Sequence, residues 1–164
     1  MQTRKLTLSA LLIAIGTVTG NLIYIPVGIA KCFPIQHTIN VLSAVILGPW
    51  YGVANAFIIS LLRNFLGTGS PMAFPGSMVG AFLAGIVYKK FSKKIYAVLG
   101  EVLGTGILGA WIAFPIAKFL LGKDIAAFFF VIPFLVSTVG GSIIGYILLK
   151  ILESNKALSR INLK

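Results

Sequence analysis

From Leu6 to Leu149 the sequence is a succession of apolar runs with its charges gathered at their ends, and this constrains the fold more than any motif. Ten of the fourteen basic residues fall in three such places: Arg4 and Lys5; Lys89, Lys90, Lys93 and Lys94; and Lys150, Lys156, Arg160 and Lys164. Only 10% of the residues are charged, against about 25% in an ordinary soluble domain. With 58% hydrophobic residues and a mean hydropathy of +1.01, most faces of the chain must meet lipid or each other. The sequence therefore predicts an all-α integral membrane protein, a single transmembrane domain over residues 1–164.

The net charge of +11 is not arranged as the stripe that nucleic acid requires. The ten clustered basic residues can share one side of a membrane, with Lys31, Arg63, Lys118 and Lys123 on the other. That asymmetry is the positive-inside signal, and it places both termini in the cytoplasm. The first run is basic and then apolar, as in a signal peptide. Gly16, Thr17 and Gly20 continue it without a prompt cleavage site, so it is expected to be a retained helix. Cys32 is the only cysteine, which excludes an intramolecular disulfide and a thiol-based metal site.

Six helices are expected, over about residues 6–25, 36–48, 51–64, 76–90, 95–121 and 125–150. Pro26 and Pro34 bound an outer loop after the first, and the polar tail after the sixth lies in or near the cytoplasm. Helices 2 and 3, on either side of the corner Gly48-Pro49-Trp50-Tyr51-Gly52, are shorter than the ~20 residues that cross a bilayer upright. They are either short spans or a re-entrant hairpin. Small residues recur at intervals of four: Ala10 and Ala14; Gly76, Gly80 and Ala84; Ser77, Ala81 and Gly85; Gly100 and Gly104; Ser137, Gly141 and Gly145. Such stripes let helix backbones approach closely in lipid. Most are expected to pack inside the bundle, while that of helix 1 can face a partner protein. Pro115 and Pro133 are expected to bend helices 5 and 6 at one depth and widen the bundle there.

The stretch from Phe33 to Gly80 is the expected functional centre. His37 and Asn40 share a face at the start of helix 2, Arg63 and Asn64 close helix 3 at the same level, and Ser77 opens helix 4. Asn40 and Asn64 are expected to meet a small polar ligand, whereas Arg63 is expected to snorkel to lipid headgroups. Glu101 is the only acid well inside an apolar helix, where an ionisable group has a partner or a function. Thr105, four residues on, shares its face, and Trp111 offers a stacking surface. Glu101 also lies only six residues from Ile95, so pairing with Lys93, Lys94 or a partner protein remains an alternative.

Enzyme motifs are absent. One histidine excludes HExxH, three acids leave no catalytic carboxylate pair, and no GxxxxGK[ST] loop occurs. Uphill movement of a solute by this chain would need ATP hydrolysis on another protein.

The corner Gly48-Pro49-Trp50-Tyr51-Gly52 and the Ala10-x-x-x-Ala14 pattern resemble the substrate-binding S components of energy-coupling factor (ECF) transporters. The runs QHTINVLSAVILGPWYG, LLRNFLGTGS and AFPGSMVGAFLAGIVYKK are similar to the ThiW branch in particular. The resemblance implies a vitamin-uptake subunit of six helices that captures its ligand from outside and closes over it with the loops after helices 1 and 3. Its implied partners are a transmembrane coupling protein, docked at Ala10 and Ala14, and two cytoplasmic ATPases. Its implied ligand is the thiamine precursor hydroxyethylthiazole. For such a ligand Trp111 or a phenylalanine can stack, His37, Asn40 or Asn64 can donate to the ring nitrogen, and Ser77, Glu101 or Thr105 can meet the hydroxyl. Another vitamin fragment would fit the same inventory. The competing expectation is a stand-alone ion-coupled carrier or channel centred on Glu101.

Overall fold

The structure, a computed structural model, describes residues 2–28, 30–122, 124–126 and 128–156. Lys123, Arg160 and Lys164 of the charge pattern lie outside the described residues. Among those described, the chain forms helices α1 (Gln2–Thr19), α2 (Pro34–Ile46), α3 (Pro49–Phe65), α4 (Ala73–Phe91), α5 (Lys94–Leu120) and α6 (Val131–Ser154).

Helix α1 stops at Thr19 rather than running to Ile25, and the chain is not wholly helical. Strands β1 (Ile25–Val27) and β2 (Ala30–Cys32) follow it as an antiparallel hairpin, with Ile25 opposite Cys32. Pro26 cannot continue a helix, and Gly28 takes a φ of +58° in the turn. Helix α6 begins at Val131 rather than near 125, which puts Pro133 in its first turn. There the missing N–H has no carbonyl to bond, so the kink expected from Pro133 does not arise. Pro115 does lie inside α5. A π-helical stretch, Ile116–Leu120, follows it, and another spans Gly104–Gly109. These wide turns absorb the proline and carry the helix on to the bond from Leu121 N to Ile116 O at 3.2 Å.

Helix α2 is the axis of the fold. Ten of its thirteen residues are buried, and α1, α3, α4, α5 and α6 all pack against it. A helix enclosed on every side needs no polar face for solvent, so its polar residues are free to serve the interior. The corner into α3 is set by Gly48, at φ +93° and ψ 175°, which no side chain favours and which the following Pro49 requires to be extended.

The small-residue stripes close the bundle. A Cβ added at Gly104 would lie 2.7 Å from Gly80 Cα, and one at Gly100 would lie 2.8 Å from Ala84 N, so α4 and α5 meet backbone to backbone. Gly141 and Gly145 press α6 against Pro34 and Val41 of α2 in the same way. Polar ties reinforce these seams. Ser9 of α1 donates to Asn55 of α3, Asn55 Nδ2 to Ser43 Oγ of α2 at 3.0 Å, and Thr38 Oγ1 to the Gly141 carbonyl of α6 at 2.8 Å. At the opposite end from the hairpin, Lys94 pairs with Glu153, joining the start of α5 to the end of α6.

Outward, the helices present large apolar side chains such as Leu11, Val18, Phe57, Leu62, Ile143 and Ile147. Among the described residues, α5 and α6 are long and apolar enough to cross a membrane. Because the α4–α5 seam has no room, Gly104→Leu is expected to destabilise the protein by ~1–3 kcal/mol through overpacking. Lys94→Ala, which breaks only an ion pair whose carboxylate is half-exposed, should leave the melting temperature near that of the unchanged protein. Thermal unfolding of both variants in detergent checks the contrast.

Candidate functional site

At the hairpin end the elements part around a cavity of about 600 Å³, within the ~300–1,000 Å³ of small-molecule sites. His37 of α2, Ser77 of α4 and Thr105 of α5 give it polar groups. Phe129, Phe130 and Phe134, where α6 begins, form an apolar wall, and Phe33, Tyr24 and Lys31 approach from the hairpin side. The rings of Phe130 and Phe134 lie 5.7 Å apart, and those of Phe129 and Phe130 5.3 Å apart edge to face.

Beneath this cavity lies Glu101, fully buried. Its Oε1 accepts from His37 Nδ1 at 2.9 Å and from Asn40 Nδ2 at 2.9 Å, and the Thr105 hydroxyl lies 3.0 Å away. A carboxylate removed from water needs such donors. Sequence spacing supplies them. His37 and Asn40 lie three apart on α2, and Thr105 lies one turn beyond Glu101 on α5, where its single O–H is shared between Glu101 and the Gly76 carbonyl, each at 3.0 Å. Gly80 makes the room, since a Cβ there would stand 2.7 Å from Glu101 Oε2. That Oε2 and Asn40 Oδ1 are buried without a hydrogen-bond partner among the described residues.

From Asn40 the network climbs towards the hairpin. Asn40 Nδ2 also reaches Ser77 Oγ at 2.9 Å, and Gln36 Nε2 donates to Ser77 Oγ and Ser60 Oγ, both at 2.8 Å. Gln36 Oε1 accepts from Arg63 Nη1 at 2.5 Å, while Arg63 Nη2 donates to Asn21 Oδ1 at 3.1 Å and to the Thr68 carbonyl at 3.0 Å. An unbroken chain thus joins a buried anion, through two amides and a serine, to a buried cation.

Two groups facing the cavity are fixed in role by this chain. Ser77 Oγ accepts from Gln36 and Asn40, so its own O–H is left to donate. The Glu101 carboxylate facing His37 Nδ1 assigns an N–H to that nitrogen, and with Nδ1 as the donor a neutral imidazole presents Nε2 as an acceptor.

Of the residues expected from sequence, His37, Ser77 and Thr105 line the cavity. Asn40 and Glu101 stand directly behind them. The pairing of Glu101 with Lys93 or Lys94 does not occur; its partner is His37, and Lys94 is taken by Glu153. Asn64 Nδ2 turns instead to the Ser60 and Ser70 carbonyls at 2.7 and 3.2 Å and holds the loop after α3. Trp111 lies outside the cavity lining, 58% exposed beside Phe128. Ala10 and Ala14 are exposed on α1.

Arg63 corrects an expectation. Rather than snorkelling to headgroups, it is 2% exposed and turned inward, over the Phe33 ring at 4.7 Å. Gln36 was not anticipated at all. Its signal was the spacing Gln36, Asn40 and Ser43, a polar stripe on one face of an apolar helix, which in lipid points inward. Cys32, 2% exposed, lines the same cavity and donates from Sγ to the Pro133 carbonyl at 3.1 Å, tying the hairpin to α6.

A helical bundle with a short β-hairpin at one end and an apolar outer surface, holding a cavity walled by phenylalanines and floored by oriented polar groups, defines a membrane protein that binds a small molecule. The chain matches the family of thiamine-precursor transporter protein (ThiW) over residues 6–155, and it belongs to that family. Membership makes it a membrane transporter of a thiamine precursor, in a family of transporters and not of enzymes. No curated protein and no solved structure matches the chain.

Burial pushes the Cys32 thiol above its ordinary pKa, which lowers its thiolate fraction near neutral pH. Maleimide labelling of the folded protein at pH 7 should therefore be much slower than labelling after unfolding in SDS. Mass spectrometry of the time course reads the difference.

Proposed function

We propose that this chain is the substrate-binding S component of an ATP-driven ECF-type importer and that its ligand is hydroxyethylthiazole. The observation that carries the reading is the pair of oriented groups at the cavity floor beside an aromatic wall. Hydroxyethylthiazole needs a donor for its ring nitrogen, an acceptor for its hydroxyl proton and a flat apolar surface for its ring. The Ser77 hydroxyl supplies the first, His37 Nε2 the second, and Phe129, Phe130 or Phe134 the third. Glu101, Asn40 and Thr105 hold these groups in place from behind. Asn64 holds the loop after α3, and Trp111 lies away from the ligand.

In this reading all six helices form one transmembrane domain, with α2 and α3 as short spans. The hairpin end faces outward, and the end bearing Arg4, Lys89, Lys94 and Lys150 faces the cytoplasm with both termini. The exposed Ala10 and Ala14 on α1 offer a narrow, backbone-close surface for the transmembrane coupling protein. Two cytoplasmic ATPases supply the energy that this chain has no phosphate-binding loop to extract.

Isothermal titration of the purified protein with hydroxyethylthiazole, without ATP or partners, should give saturable one-site binding. Glu101→Gln, which removes the charge that orients His37, should weaken it by about 10–100-fold, the loss of a charge-assisted hydrogen bond. Uphill uptake in vesicles should require the coupling protein and the ATPases. Uptake by this chain alone, driven by an ion gradient and abolished by Glu101→Gln, would replace the proposal with a carrier centred on Glu101.

A further inference from the structure

Arg63 is a permanent cation, 2% exposed, that lines the cavity and has no acidic partner among the described residues. Among the described residues the two carboxylates with side-chain nitrogen partners are Glu101, met by His37, and Glu153, paired with Lys94, and Arg63 touches neither. Its partners are neutral oxygens of Gln36, Asn21 and Thr68, and the face of the Phe33 ring. Three of the five guanidinium N–H groups are used in these bonds, and Nε is buried without a hydrogen-bond partner among the described residues. Neutral acceptors offset only part of the cost of taking a cation out of water.

A second cation stands on the same side. Lys31 of β2 lines the cavity with its ammonium 5.1 Å from the Tyr24 ring centroid, and it is exposed enough to reorient. No Asp or Glu among the described residues lines the cavity. Glu101, the one acid nearby, is fully buried beneath it and engaged by His37, Asn40 and Thr105. The cavity is also roomier than one substituted five-membered ring requires.

We infer that the Arg63 and Lys31 side of the cavity is an anion subsite, and that the preferred ligand is a heteroaromatic precursor bearing an anionic substituent, a phosphate ester or a carboxylate. This rests on the proposed binding role and refines its substrate class: the neutral alcohol is the minimal ligand, and the charged derivative fills the site. The ring lies against the phenylalanine wall, and the anion meets Lys31 and the Arg63 guanidinium where it lines the cavity. Arg63 is thereby a specificity-determining residue whose neutral partners fix it without neutralising it.

The test is a set of titrations of the purified full chain with hydroxyethylthiazole, its phosphate ester and a thiazole carboxylate. At least one anion should bind about 10–100-fold more tightly than the alcohol, the range of one or two charge-assisted contacts. Which anion leads identifies the substituent. Raising the salt concentration should narrow the ratio, Lys31→Gln should narrow it in part, and Arg63→Gln should bring it close to one, with Arg63→Lys restoring some of it. Should Arg63→Gln unfold, the ratio in the unchanged protein, its salt dependence and the exposed Lys31 variant still decide. An alcohol that binds as tightly as both anions overturns the inference while leaving the binding role intact. Failure of every thiazole to bind overturns both.

Discussion

A single carboxylate with no exposure, held in the middle of an apolar bundle, governs the shape of everything around it. Glu101 can stay there only if donors reach it from several elements, so α2 brings His37 and Asn40 and α5 folds Thr105 back one turn. It also needs space, and this is where the glycine stripe on α4 does more than bring helices together. Gly80 lies where any side chain would collide with Glu101 and Thr105, and the same absence of a Cβ lets Gly104 seat against it. The packing of α4 on α5 and the placement of the acid are one solution to one constraint.

From that point charge is distributed along a line. Arg63 and Glu101 do not touch; Gln36, Ser77 and Asn40 bridge them with amide and hydroxyl dipoles. Every link has a defined direction, because Gln36 accepts from the cation with its oxygen and donates onward with its nitrogen. The cavity wall inherits that order: Ser77 is left with a proton to give and His37 with a lone pair. A site assembled in this way is oriented before any ligand arrives, which reduces the ordering cost of binding. The short helix α2 contributes most of these groups because it is enclosed on all sides and can hold polar residues that no lipid-facing helix would tolerate.

Much of this was legible in the sequence. Apolar runs with charges at their ends gave the helices, the four-residue spacing of small residues gave the α4–α5 seam, and an acid in an apolar helix marked Glu101. The rest depended on non-local contacts. Nothing near Arg63 in sequence shows that Gln36 and Asn21 will enclose it, so its position at a helix end read as a snorkelling cation. Trp111 was attractive as an aromatic, yet the stacking surface comes from phenylalanines just before and within α6, whose start the sequence placed six residues too early. The hairpin was hidden in the apolar continuation of the first run. Its formation depends on Cys32 and the hairpin strands finding α6, about a hundred residues away.

The chain has one histidine, so its imidazole can be watched alone. Nitrogen NMR of protein labelled at histidine, in lipid nanodiscs, most directly tests whether Glu101 orients that ring for a ligand. A protonated, hydrogen-bonded Nδ1 is expected in the free protein, with a change confined largely to Nε2 on addition of hydroxyethylthiazole as the proposed ligand, and loss of the preferred tautomer in Glu101→Gln. A spectrum that responds neither to ligand nor to that substitution would contradict that orientation.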